Sequence, residues 1–266
     1  MGLILMGAIA GDVIGSRFEF NATKRTDFTL FDPACDFTDD SVLTVAIADA
    51  ILNGNDFLNR VRSYGIHYPH RGYGNNFKHW LYSDTTAPYN SYGNGSAMRV
   101  SPVGWAFDSV EEVLSQAEAS AAITHNHPEG VKGAQAVALA IFMARKGSTR
   151  SEIKQELISR FQYNLNQTLD EIRPLYQFEV SCQESVPQSI LAFLESNSTE
   201  DAIRKAISLG GDADTQACIA GSIAEAFYGD IPKDLEHRVK HLLPAEFIQV
   251  LEQFNQHYNL PPQDKN

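Results

Sequence analysis

The chain has 266 residues, 43% hydrophobic and 20% charged, enough apolar material for one sizeable globular core. Its formal net charge is -12, a sign that repels phosphate backbones and argues against nucleic acid as a main partner. The cysteines are three, Cys35, Cys182 and Cys218, widely spaced and without a CxxC pattern, which excludes a disulfide framework and fits reduced thiols in a cytoplasmic protein.

In chain order, residues 3–15 are small and apolar, with Gly7, Gly11 and Gly15 four apart on one helix face, a spacing that permits close backbone approach. Asp12 interrupts this run, no basic residues precede it, and it is too short to span a bilayer, so it reads as a buried helix. Glu19 follows in RFEF, between two phenylalanines and near Arg17: a surface glutamate paired with arginine, or a carboxylate whose apolar neighbours fit it for proton transfer.

Next comes FTDDSVLT, with Thr38, Asp39 and Asp40 at the start of a segment, 41–52, that is apolar on almost every side. Residues 64–96, rich in Tyr, Gly, Asn, His and Pro, form the least regular stretch and carry the turn-like Tyr92-Gly93-Asn94-Gly95-Ser96. Tyr68, Tyr73, Trp80, Tyr89 and Tyr92 offer faces that could stack on a base. His67, His70 and His79 are scattered there and read as structural or exposed.

Asp108-x-x-Glu111 and Thr149-x-x-Glu152 resemble capping boxes before helices at about 109–123 and 150–163. Between them lies THNHP, and then a long helix ending near Gly147. His125 and His127 sit two apart before a proline, which gives no helical ligand face for zinc, so His125 reads as a hydrogen-bonding group and His127 as a cap or packing residue. Further helices are expected at 186–195, 199–208, 215–228, 233–242 and 245–257, with Pro187, Pro232 and Pro244 near their starts. Strand signals are thin: only DFTLF (27–31) and YQFEV (176–180). The expectation is a single compact all-α domain over 1–260 with a frayed tail at 261–266.

The second acidic cluster, Asp212-x-Asp214-Thr215, repeats the layout of the first: two carboxylates and a threonine at a helix start. Capping accounts for one such residue per helix. Two aspartates and a threonine, twice, before buried helices and with no adjacent cation, point instead to a cation site. Hard oxygen ligands suit Mg²⁺ or Mn²⁺ and not Zn²⁺, and four aspartates balance the charge of two such ions.

Together these segments resemble the ADP-ribosylglycohydrolase family. GAIAGDVIGSRFEF, FTDDSVLT, YGNGSAMRVSPVG, THNHPEGVKGAQAVALAI and GGDADTQACIAGSIAEA are similar to its motifs, in the same order and over nearly the whole chain. The resemblance implies a compact all-α fold of orthogonally packed helices and a binuclear centre of two Mg²⁺ or Mn²⁺ ions. Thr38, Asp39, Asp40, Asp212, Asp214 and Thr215 would be its ligands. Glu19, Asp40 and Asp212 would act in catalysis, and Gly93, Asn94, Gly95, Ser96, Met98 and His125 would line the substrate cleft. The activity implied is hydrolysis of the bond between ADP-ribose and an acceptor, with an ADP-ribosylated substrate and ADP-ribose as product. The acceptor stays open among arginine, serine, a nucleobase and a small molecule, and a silent ADP-ribose-binding or structural member is the alternative. Ser41, Ala213 and Gln216 depart from the usual motif residues without removing a ligand oxygen. A monomer without membrane attachment is expected.

Overall fold

The computed structural model describes residues 2–229 and 231–259. Its first half contains α1 (Met6–Gly15), a 3-10 turn (Ser16–Phe18), α2 (Asp39–Leu52), α3 (Phe57–His67), α4 (Asn75–Tyr82), α5 (Gly95–Met98), α6 (Ser101–Ala106) and α7 (Val110–Ala122). Then follow α8 (Pro128–Arg145), α9 (Arg150–Phe161), α10 (Leu169–Ile172), α11 (Cys182–Leu194) and α12 (Thr199–Ile207). The last are α13 (Ala213–Tyr228), α14 (Lys233–Lys240) and α15 (Ala245–Tyr258). The fold is all-α, as expected. Among the described residues both candidate strands are irregular loop, and the β pairing is an isolated antiparallel bridge elsewhere, between Gly93 and Ser181. No described helix is long and apolar enough to cross a membrane.

The centre of the fold is α1 laid antiparallel on α13, and the glycines make it possible. A Cβ added at Gly7 would lie 2.4 Å from the Gly221 carbonyl oxygen, at Gly11 2.1 Å from that of Ala217, and at Gly15 2.5 Å from Asp214 Cα. These neighbours are backbone and cannot yield, so only glycine allows the two helices to meet this closely. At the far end of the seam, Glu225 of α13 accepts the Met6 N–H at 3.1 Å, supplying the cap that α1 lacks in its own sequence. The seam holds Asp12 of α1 against the start of α13. α2 is buried from Asp40 to Ala48, so its N-terminus is fixed against both.

Three sequence expectations are revised. The α7 cap is Ser109, whose hydroxyl accepts the Glu112 N–H at 3.2 Å, because Arg145 and Lys146 engage the Asp108 carboxylate. α11 begins at Cys182, so Pro187 lies inside it and not near its start. The 64–96 stretch contains α4, formed because Phe77, Trp80 and Leu81 bury one face. The tail 261–266 lies outside the described residues.

Candidate active site

The first carboxylate group is built on the N-terminus of α2. Thr38 caps that helix, its Oγ1 accepting the Asp40 N–H at 3.3 Å. Its own hydroxyl hydrogen goes to Asp12 Oδ1 at 2.6 Å. Asp12 also accepts the backbone N–H groups of Thr38 and Ser41, both at 3.0 Å, and the Ser41 hydroxyl. This fully buried carboxylate is therefore clamped by four donors. Ser41, a departure from the usual motif, supplies one of them.

The second group is built where α13 begins. Asp212 occupies the N-cap position but makes no side-chain cap bond; its Oδ2 accepts from Asn94 Nδ2 at 2.8 Å. Thr215 Oγ1 reaches Asp40 Oδ2 at 3.3 Å, joining the two groups. Oxygens of Asp12, Asp40 and Asp214 all lie within 4.8 Å of one another, as do those of Glu19, Asp212 and Asp214. Asp214 belongs to both triads.

No ion pair among the described residues reaches these acids. Burial, and then the charge of Asp214, holds Asp39 and Asp40 well above the ordinary carboxylate range. Burial raises Asp12 and Asp214 as well, and raises Asp212 to about 6. Glu19 is pushed up to about 8 by burial, then by Asp214 and Asp12. Buried Asp40 Oδ1 has no hydrogen-bond partner. Converging hard oxygens without a counter-charge, one of them orphaned, fit divalent cations such as Mg²⁺ or Mn²⁺.

Of the six acids, all but Asp12 line a cleft of about 630 Å³. A larger depression, about 790 Å³ between α3 and α15, is lined by none of these acids. Of the residues expected at the site, Glu19, Asp39, Asp40, Gly93, Asn94, Gly95, Met98, His125, Asp212, Asp214 and Thr215 line the cleft. Asp39 lies in neither tight triad. Thr38 stands behind Asp12 and does not line the cleft. Ser96 is fully buried and turned away, its hydroxyl bonded to the Gly130 carbonyl at 2.7 Å, so it ties α5 to α8. The turn also offers fewer free amides than its glycines imply: Gly93 N–H goes to Ser91 Oγ, and Asn94 N–H to the Val180 carbonyl at 2.7 Å.

His125 is buried, with Nδ1 2.7 Å from Thr124 Oγ1. His127 caps α8, its Nδ1 accepting the Glu129 N–H at 3.1 Å, while His67, His70 and His79 are exposed. Of the five candidate stacking residues only Tyr73 and Tyr89 line the cleft. Sequence reasoning missed three things here. Asp12 was legible only as a lone carboxylate in an apolar glycine-spaced helix. Arg99 lies within YGNGSAMRVSPVG but was given no role. Phe20 and Phe178, ring centroids 6.0 Å apart, stack across the cleft mouth from distant loops.

The family model described as ADP-ribosylglycohydrolase matches residues 4–263. The chain is 31% identical to the ADP-ribosylhydrolase ARH3 of Mus musculus over 305 residues, covering 85% of this chain and 82% of that protein. It is equally similar to that of Homo sapiens, at 31% identity and with 84% of the relative covered. The ADP-ribosylarginine hydrolase Tri1 of Pseudomonas putida is 24% identical, with 85% of this chain and 69% of the relative covered. A solved structure titled ADP-ribosylglycohydrolase-related protein complex shares the fold, with a TM-score of 0.72, 19% identity and 96% of each chain covered. With its five motifs gathered on one cleft and its whole length matched, the chain belongs to the ADP-ribosylglycohydrolase family.

Proposed function

We propose that this hydrolase cleaves the glycosidic bond between ADP-ribose and its acceptor in a reaction that depends on Mg²⁺ or Mn²⁺. The observation that carries the reading is the pair of carboxylate triads sharing Asp214, set at one cleft and reached by no ion pair among the described residues. Asp12, Asp40 and Asp214 would hold one ion, and Asp212, Asp214 and Glu19 or Asp39 would take part around a second. When bound, such ions supply Lewis acidity and orient hydroxyl and water oxygens.

The chain's own groups account for the rest. Asn94 fixes the Asp212 carboxylate through its 2.8 Å bond, and Asp12 fixes the α2 N-terminus that presents Asp40. Glu19 is half-buried in the cleft, and burial, then the charges of Asp214 and Asp12, push its carboxyl up, so it takes a proton more readily than an ordinary glutamate. It takes a proton from the attacking water as the water oxygen bonds to C1 of the ribose and the C1–acceptor bond breaks. The acceptor leaves carrying the bonding electron pair and is protonated as it departs. The relatives named for ARH3 and for ADP-ribosylarginine hydrolysis support the class of reaction and leave the acceptor open among arginine, serine, a nucleobase and a small molecule.

The test is a panel of ADP-ribosylated substrates, assayed for free ADP-ribose with wild type and Asp214→Ala. Wild type should release ADP-ribose from at least one linkage, a chelator should abolish the release, and Mg²⁺ or Mn²⁺ should restore it. Asp214→Ala should be inactive under every condition. ADP-ribose binding without turnover on any linkage would support a silent binding protein instead.

A further inference from the structure

Between the 3-10 turn and α2 the chain runs without regular secondary structure, and this loop carries Glu19 and Phe20 at the cleft. A loop of this kind keeps one conformation only where side chains anchor it. Arg204 of α12 supplies one anchor, donating to the Thr26 carbonyl at 2.9 Å and to that of Phe28 at 2.6 Å. Lys24 supplies another from inside the loop. Its Nζ donates to the Tyr176 carbonyl at 2.6 Å and to the Leu209 carbonyl. No ion pair among the described residues includes Lys24, and the charge beside it, Arg173, has the same sign. With no carboxylate to attract the ammonium, the two carbonyls decide where it sits.

Each carbonyl leads to a different part of the site. Leu209 lies just past the C-terminus of α12, where carbonyls lack intrahelical donors and carry partial negative charge, so the ammonium caps that helix. The next residue, Gly210, has a left-handed φ of +69°, and the lysine lies against it, Cε and Nζ each 3.1 Å from an added Cβ. Gly211 and Asp212 follow, so the capped turn runs directly into the second carboxylate group. The Tyr176 ring closes on the same turn: a Cβ added at Gly211 would lie 2.5 Å from Tyr176 Cε1. The Tyr176 hydroxyl donates to the Glu184 carbonyl of α11 at 2.7 Å and accepts from Gln216 Nε2 of α13 at 3.1 Å. Gln216, one of the departures from the usual motif, thus helps to seat the ring. Two residues beyond Tyr176, Phe178 lines the cleft.

We propose that Lys24 is a positioning residue: its single ammonium ties together the loops that carry Glu19 and Phe20, Phe178, and Asp212, and so sets two of the site's carboxylates and both rings of the mouth relative to one another. Lys24 does not itself line the cleft, so it acts through these loops and not on the substrate. Arg204 holds Thr26 and Phe28 without it, so loss of the ammonium should loosen the loops and leave the helices packed. The effect on rate rests on the reading of the cleft as a site of ADP-ribose hydrolysis; the effect on the loops rests on the geometry alone.

The test compares Lys24→Met, which keeps an unbranched stem and removes the ammonium, with Lys24→Arg, which restores a cation with donors for two carbonyls. Hydrogen exchange of the full chain without ligand should be about tenfold faster or more in Lys24→Met across all three loops, 19–25, 174–181 and 208–212, with Tm within about 5 °C of wild type. Lys24→Arg should return all three to within about threefold of wild type. In the ADP-ribose release assay Lys24→Met should lose about tenfold in kcat on every linkage that wild type hydrolyses, and Lys24→Arg should recover most of it. A looser mouth alone would move KM and not kcat. Faster exchange confined to 19–25, a larger fall in Tm, or a kcat within about twofold of wild type would overturn this inference alone. A wild type that releases no ADP-ribose from any linkage, with the exchange result as expected, would overturn the functional reading and leave the tie between the loops standing.

Discussion

The α1–α13 seam and the cleft mouth are built on opposite terms. In the seam, Gly7, Gly11 and Gly15 press on backbone, Glu225 caps one end and the carboxylates gather at the other. At the mouth, Phe20 is 85% exposed and Phe178 49%, their rings stacked from two loops. The seam is where like charges must be held within a few ångströms, and only packed helices can resist that repulsion. The mouth has no such constraint, so its residues are free to differ with the molecule that enters. A change in the seam should therefore cost stability and chemistry together, and a change at the mouth should alter substrate use alone.

The largest effect is expected for Gly11→Val, which sets a branched side chain against the Ala217 backbone. Separating α1 from α13 should destabilise by about 3 kcal/mol or more. Thermal unfolding should show it, and soluble protein of unchanged Tm would mean that the seam is softer than its geometry indicates. Asp12→Asn should come next. The amide presents hydrogens where Thr38 and Ser41 also donate, so about 1–3 kcal/mol is lost, partly offset by removing one repelling charge. ADP-ribose release should fall by about a hundredfold, because the α2 N-terminus that carries Asp40 loses its anchor. An Asp12→Asn enzyme of normal activity would show that the clamp is packing and nothing more.

The far end of the seam gives a smaller, pH-dependent effect. Glu225 is raised from 4.5 to about 8, chiefly by burial, with the α1 amides opposing. In the unfolded chain it ionises near 4.5, while the folded chain keeps the proton up to about 8. The stability this provides is present in full at low pH and is lost progressively as pH rises through that window. Glu225→Gln keeps the acceptor for the Met6 N–H and should flatten the slope. Denaturant titrations with saturating Mg²⁺ throughout, which counters the repulsion among the aspartates, would isolate this contribution. An unchanged slope in Glu225→Gln would assign the pH dependence elsewhere.

The same contrast explains what could be read from the sequence. Asp39, Asp40, Asp212 and Asp214 stood out because doubled acids at helix starts violate the pattern of buried segments. The glycine spacing of α1 also announced a close approach. Asp12 did not stand out, since one acid in an apolar run has many readings, and its role depends on which residues cross from α2. Ser96 was misplaced because a turn motif does not say which side chain faces the core. Phe20 and Phe178 are 158 positions apart in the numbering, and no local pattern links them. Lys24 was silent for a similar reason: its meaning lies in the carbonyls it reaches, which only the fold reveals.

The smallest effect on stability is expected at Phe20 and Phe178. An 85% exposed ring gives up little apolar burial when truncated, so Phe20→Ala should shift stability by no more than about 0.5 kcal/mol. Phe178→Ala loses mainly the stacking contact, which is worth about as much at a surface. Yet both rings line the cleft, and Phe20 directly follows Glu19, the carboxylate nearest the mouth. Each substitution should raise KM for at least one linkage in the substrate panel while leaving kcat within about threefold, as expected if the rings meet the substrate away from the reacting atoms. A matching fall in kcat on every linkage would place the rings in the chemistry and erase the division between seam and mouth. A Tm shift of the size expected in the seam would erase it from the other side, by showing that the two loops are part of the core's support. The division stands only if stability and kcat stay with the helices while KM moves with the rings.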